Sequence, residues 1–131
     1  MTPPERVTGI GGIFFKSPDP AALQRWYQEQ LGVPVDADGY VSFGWRELAD
    51  PRRTGYTAWS AMRESTPYFA GSRREFMVNY RVENLDRMLA QLRAAGVPVD
   101  EKVEDSEYGR FGWATDPDGA RIELWEPPSG G

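Results

Sequence analysis

The chain has 131 residues, 40% of them hydrophobic and 27% charged, which is ordinary globular usage and excludes wholesale disorder. It contains no Cys and no His, so disulfides, thiolate or imidazole metal sites, cysteine nucleophiles and Ser-His-Asp triads are excluded. With 15 Lys and Arg against 20 Asp and Glu the net charge is −5, which disfavours nucleic acid as a partner and weakly favours a cationic small molecule.

No apolar run approaches the roughly 20 residues that span a bilayer, so no membrane partner is expected. The opening Met1-Thr2-Pro3-Pro4-Glu5-Arg6 lacks the pattern of a secretory signal, which makes a cytoplasmic location the expectation. The ends, Thr2 to Glu5 and Pro127 to Gly131, read as loose tails. The apolar run Ile10 to Phe15 predicts a strand. Asp19-Pro20 then caps a helix whose Leu23, Trp26, Tyr27 and Leu31 fall at helical spacing, with Gly32 as a left-handed stop. Strands are predicted near Tyr40 to Arg46 and Gly55 to Met62. After a Pro- and Gly-containing boundary at Pro67 to Arg74 comes a strand over Phe76 to Val82. A helix capped by Asn84 follows, carrying Leu85, Met88, Leu89, Leu92 and Ala95 and ended by Gly96. Gly109 to Thr115 and Arg121 to Trp125 close the chain as strands joined by the turn Asp116-Pro117-Asp118-Gly119, and a further short strand is expected near Val99 to Val103 and at its counterpart in the first module.

Gly32-Val33-Pro34-Val35-Asp36 recurs as Gly96-Val97-Pro98-Val99-Asp100, and Phe43-Gly44-Trp45 recurs as Phe111-Gly112-Trp113, in the same order and at nearly one spacing. One domain over 1–131 is therefore read as two β-α-β-β-β modules, about 8–66 and 75–127, an α+β fold whose helices cover one sheet face.

The motifs Asp19 to Tyr27 with Leu31-Gly32-Val33, Tyr80 to Asp86, Leu92 to Val97 and Thr115 to Pro127 resemble the vicinal oxygen chelate superfamily, which includes glyoxalase I, bleomycin-resistance proteins and extradiol dioxygenases. The resemblance implies tandem βαβββ modules, a U-shaped mixed sheet around a cavity, and a homodimer. It also implies four cavity-facing metal-ligand positions, which fall on Gly12, Thr57 (by matching Trp59 to Trp125), Met77 and Glu123. Only Glu123 keeps the family's residue type. Gly12 has no ligand atom, the Thr57 hydroxyl is a weak neutral donor and the Met77 thioether is soft, so no metal and no cofactor are expected.

With Glu123 inward, strand alternation brings Arg121 and Trp125 to the cavity and leaves Ile122 and Leu124 to the helices. By the same rule Met77, Asn79 and Arg81 face in, as do Phe14 and Lys16 on the first strand and Thr57, Trp59 and Ala61 on its partner. Glu123 is then either a general acid or base in an apolar cleft, or a relic paired with Arg121, Arg81 or Lys16. Trp59 and Trp125 either stack a flat or cationic ligand or pack as core. Asn79 either orients a ligand carbonyl or bonds neighbouring backbone. The acidic stretch Asp100 to Glu107 either steers a cation or is a solvated loop. Three functions remain open: metal-free binding of a small molecule, such as sequestration of a hydrophobic or cationic metabolite or drug; a glyoxalase-like lyase or isomerase using Glu123; and an interaction module with a vestigial cleft.

Overall fold

The computed structural model describes residues 3–128; Met1, Thr2 and the stretch 129–131 of the expected tails lie outside the described residues. The elements in chain order are β1 (Val7–Ser17), α1 (Pro20–Leu31), β2 (Tyr40–Arg46), β3 (Thr54–Arg63), the 3-10 turn η1 (Pro67–Phe69), β4 (Phe76–Val82), α2 (Leu85–Ala94), β5 (Glu104–Ser106), β6 (Gly109–Thr115) and β7 (Arg121–Glu126). They build one curled, mixed seven-stranded sheet in the order β2-β3-β1-β4-β7-β6-β5 with both helices on one face, an α+β fold. β1 pairs parallel with β3 and β4 parallel with β7, each pair connected through a helix, and β1 pairs antiparallel with β4 to join the two halves.

The caps act as their residue types dictate. The Asp19 side chain accepts from the Ala22 amide, Pro20 opens α1, and Gly32 ends it in the left-handed region at φ 68°. Asn84 accepts from the Arg87 amide at the start of α2. The helix N-terminus is further satisfied by Glu5, whose Oε2 accepts from the Glu83 and Asn84 amides at 2.9 and 2.7 Å. Glu5 is buried and also pairs with Arg87, so this end of the expected loose tail is instead a strap across α2.

The outer core gathers Val82, Leu85, Met88, Leu89, Ala114 and Leu124, with Tyr80 and Ile122 packed against it. α2 therefore sits firmly on β4, β6 and β7. α1 differs from the expectation, since none of its residues is buried and Leu31 is 63% exposed. Its anchor is aromatic: Tyr27 packs on Phe15 and Trp59. The expected strand at Val99 to Val103 is reduced to one bridge from Val99 to Ala114, with β5 following at Glu104–Ser106; its counterpart after α1 does not form a strand. Among the described residues no helix is long and apolar enough to cross a membrane.

Candidate functional site

The inner face of the sheet, opposite the helices, carries one continuous row of cross-strand neighbours: Ala58 on β3, Gly12 on β1, Asn79 on β4, Glu123 on β7 and Trp113 on β6. The adjoining row holds Ser60, Phe14 and Met77. On the other side Arg81, Trp125 and Phe111 are neighbours, with Trp125 near-parallel to Phe111 and packed on Tyr56.

Glu123 is the hub of this surface and is 1% exposed. Its Oε1 accepts from Asn79 Nδ2 at 2.6 Å, and its Oε2 accepts from Trp113 Nε1 at 2.9 Å and from the Tyr68 hydroxyl. Tyr68 and Phe69 come from η1, in the connection between the two halves, which lies across the inner face. Phe69 is 1% exposed and packs with Phe14, Met77 and Trp113, and Lys16 stands over its ring. Burial pushes the Glu123 carboxyl above the usual carboxylate range and outweighs the three hydrogen bonds, which favour the charged form. Burial first, and the Glu123 charge second, push the Tyr68 hydroxyl upward, so it stays a neutral donor.

Glu123 is not a relic held by an ion pair. Arg121 Nη1 bonds Asp100 at 2.7 Å while its guanidinium lies over Trp113, and Arg81 Nη1 bonds Glu47 at 2.8 Å beside the Trp45 ring. The buried carboxylate accepts from neutral donors only; Arg121 and Arg81 pair with other acids, and Lys16 stands over the Phe69 ring. Two buried polar atoms have no hydrogen-bond partner among the described residues, Asn79 Oδ1 and Arg81 Nε.

The structure brings Phe14, Met77, Asn79, Arg121 and Glu123 together around Tyr68, with Arg81 and Trp125 in the adjacent half of the same face. It does not bring Thr57 and Trp59 there. Trp59 packs edge-on to Phe15 and Tyr27 on the helix face. Thr57, two residues away and on the same side, accepts from Trp45 Nε1 and donates to the Ile10 carbonyl. The inward residues of β3 are Tyr56, Ala58, Ser60 and Met62, because matching Trp59 to Trp125 misplaces β3 by one residue, and one residue turns every side chain to the other face. The position beside Gly12 on β4 is likewise Asn79 rather than Met77, which neighbours Phe14.

Ala58, Gly12, Asn79 and Glu123 thus occupy the centre of the face. One carboxylate and one amide do not fit a divalent ion, and both carboxylate oxygens are already engaged by protein donors. Among the described residues no three His, Cys, Asp or Glu side chains gather into a possible metal centre. A separate cavity of about 280 Å³ lies on the opposite face, between α2 and the sheet, lined by Val7, Tyr80, Met88 and Leu92 among others, and does not reach Glu123.

Tyr68, Phe69 and Trp113 are site residues that the sequence reasoning missed. Trp113 had a signal, since it stands opposite Glu123 across the hairpin closed by the Asp116 turn. Gly11 is a fourth. The register of β1 shifts between Ile10 and Gly12, so Gly11 is an extra residue that also faces inward. A Cβ there would overlap Asn79 Oδ1 and lie 2.8 Å from Trp125. Gly11→Ala is therefore expected to cost about 1–3 kcal/mol, as overpacking does. Chemical denaturation measures the loss; a change below about 0.5 kcal/mol, the scale of an uneventful substitution, would mean that β1 yields freely at the bulge.

Among curated proteins none matches the chain in sequence. Solved structures share its fold. Methylmalonyl-CoA epimerase from Mycobacterium tuberculosis is 21% identical, with 98% of this chain and 93% of that one covered and a TM-score of 0.65. A variant of Streptomyces coelicolor methylmalonyl-CoA epimerase in complex with 2-nitronate-propionyl-CoA is 16% identical, with 95% of this chain and 97% of that one covered and a TM-score of 0.68. A structure described as NAD-dependent benzaldehyde dehydrogenase from Legionella pneumophila is 14% identical, with 89% and 98% covered and a TM-score of 0.58. Identities this low speak for the fold alone. The family model of the glyoxalase-like domain matches residues 12–125, nearly the whole of the curled sheet, and the chain belongs to that family, within the vicinal oxygen chelate superfamily.

Proposed function

We propose that this chain is a cytoplasmic protein that binds a small molecule on the inner face of its sheet, at Glu123, without a metal ion or cofactor. The observation that carries the reading is the donor set itself. The central row offers one carboxylate held by Tyr68, Asn79 and Trp113, inside aromatic and apolar walls supplied by Phe14, Met77 and Trp125. Such a surface orients a largely apolar ligand through one polar handle. A hydrophobic or cationic metabolite or drug suits both the walls and the negative charge. A thermal-shift screen over aromatic antibiotics, thioesters and keto acids is expected to yield a stabilising ligand. Glu123→Gln is then expected to weaken that ligand by at least about tenfold, about 1.4 kcal/mol, with an unchanged circular dichroism spectrum. Unchanged affinity in the folded variant would remove Glu123 from the site.

A second reading, a lyase or isomerase in which Glu123 moves a proton, is favoured by the burial that raises its pKa. Turnover of the bound ligand separates the two. The filling of the cup by Tyr68 and Phe69 favours the third reading, a vestigial cleft, which a silent screen would support.

We also infer a homodimer. Val7, Ile10, Ile13 and Phe76 lie on the helix side of β1 and β4, between the two helices, and stay 39–46% exposed. A contiguous apolar strip on a sheet face matches a second copy of itself about a two-fold axis. Sedimentation at micromolar concentration is expected to give twice 14.8 kDa, and Ile13→Glu to halve it. A monomeric wild type overturns this.

A further inference from the structure

We propose that the Tyr68 side chain is a displaceable cover standing in the ligand's place over Glu123, and that the ligand which displaces it carries an aromatic hydroxyl group. The proposal rests on the reading of the inner face as a binding site and names the chemistry of what enters it.

The two aromatic residues of η1 have different surroundings. Phe69 is almost wholly buried among Phe14, Met77 and Trp113 and anchors the η1 connection as a strap over the inner face, whereas Tyr68 remains partly exposed. The strap backbone is held independently of the Tyr68 ring. Arg121 Nε donates to the Tyr68 carbonyl at 3.1 Å, the Arg121 amide donates to Ser72 Oγ at 2.9 Å, and Thr66 Oγ1 accepts from the Tyr68 amide. Rotation of one side chain therefore uncovers Oε2 of Glu123 while the strap stays in place.

The place the ring vacates has the shape and polarity of a phenol. Phe14 and Trp113 stand edge-on to the Tyr68 ring, with centroids 6.3 and 6.2 Å away and interplanar angles of 90° and 88°. At the far end Glu123 Oε2 receives the hydroxyl beside Trp113 Nε1. Exchanging the Tyr68 hydroxyl for a ligand hydroxyl replaces one hydrogen bond to the carboxylate by another of the same kind, so displacement strands no buried acceptor. An anionic ligand headgroup would face the Glu123 carboxylate, which selects a neutral hydroxyl as donor.

The test uses p-cresol and toluene, which differ by the hydroxyl, on the wild type, Tyr68→Ala and Tyr68→Phe. The Tyr68 ring signal in tyrosine-labelled NMR is assigned from the Tyr68→Phe spectrum. In the wild type p-cresol is expected to shift that signal on binding. Tyr68→Ala is expected to bind p-cresol at least about tenfold tighter than wild type and at least about tenfold tighter than it binds toluene. Binding of p-cresol to Tyr68→Ala but not to wild type would make Tyr68 a fixed core residue and overturn the proposal. Equal binding of toluene would overturn the ligand class. If Tyr68→Ala fails to fold, Tyr68→Phe, which lacks only the hydroxyl, is expected to bind p-cresol more tightly than wild type, and no gain overturns the cover. A different ligand that binds through Glu123 without moving the Tyr68 signal overturns this inference and leaves the proposed function standing. Silence of p-cresol together with the whole screen overturns both.

Discussion

Glu123→Ala is expected to cost about 3–5 kcal/mol of unfolding free energy at pH 7, whereas Glu123→Gln is expected to cost nothing or to stabilise. The alanine variant strands the Tyr68 hydroxyl, Asn79 Nδ2 and Trp113 Nε1 in a buried site and leaves a cavity besides. The glutamine variant keeps an acceptor for Tyr68 and Trp113, and its amide nitrogen can donate to Asn79 Oδ1 once that amide turns. It also removes a buried charge. The pH dependence carries the sign of that charge. Burial raises the Glu123 pKa in the folded protein above its ordinary 4.5, so the folded state holds the proton more tightly than the unfolded chain. Its contribution is fullest below the ordinary carboxylate range and is lost as pH rises through the raised folded value. The stability of wild type minus that of Glu123→Gln is therefore expected to fall from pH 4.5 toward pH 7, where urea titrations of both proteins measure it. A flat difference would mean that the three donors fully offset the desolvation of the carboxylate.

The parts of the fold that the sequence displays are those whose signals are local. Asp19-Pro20 with Gly32, and Asn84 with Gly96, mark both helices, and the alternation Arg121 to Trp125 separates Ile122 and Leu124 on the helix side from Glu123 and Trp125 inside. The short hairpin around Asp116 holds β6 to β7 in register, which is why that half of the face is readable. β1 and β3 are joined only through α1 and a long excursion, and no local turn sets their register. Repeat matching then slips by one residue, and Thr57 and Trp59 land on the wrong face. Similarly, α1 has the periodicity of a buried helix, yet fewer strands form in its half and its Leu31 stays in solvent. Tyr68 and Phe69 sit in a segment with no periodicity at all. Only long-range packing tells a strap lying over the site from a loop in water.

Phe69→Ala is expected to cost about 3–5 kcal/mol, more than removal of the hydroxyl from its neighbour Tyr68. The ring is 1% exposed and fills the space between Phe14, Met77 and Trp113, so its loss leaves a hole that three side chains from three different strands have to close. Sheet strands close such holes poorly, because each is hydrogen-bonded on both sides: β1 to β3 and β4, β4 to β1 and β7, β6 to β5 and β7. The Lys16 ammonium over the Phe69 ring would also lose its aromatic partner. Tyr68→Phe, by contrast, keeps the ring and gives up one hydrogen bond to Glu123, an expected loss of about 1–2 kcal/mol. Equilibrium urea unfolding of the two variants beside wild type measures both. Costs in that order mean that the strap is pinned by the Phe69 ring rather than by the Tyr68 hydroxyl. Equal costs would make the Tyr68 hydroxyl as strong a fastening as the Phe69 ring, and a Phe69→Ala cost below about 1 kcal/mol, far under the usual range for a buried ring, would detach the strap from the core altogether.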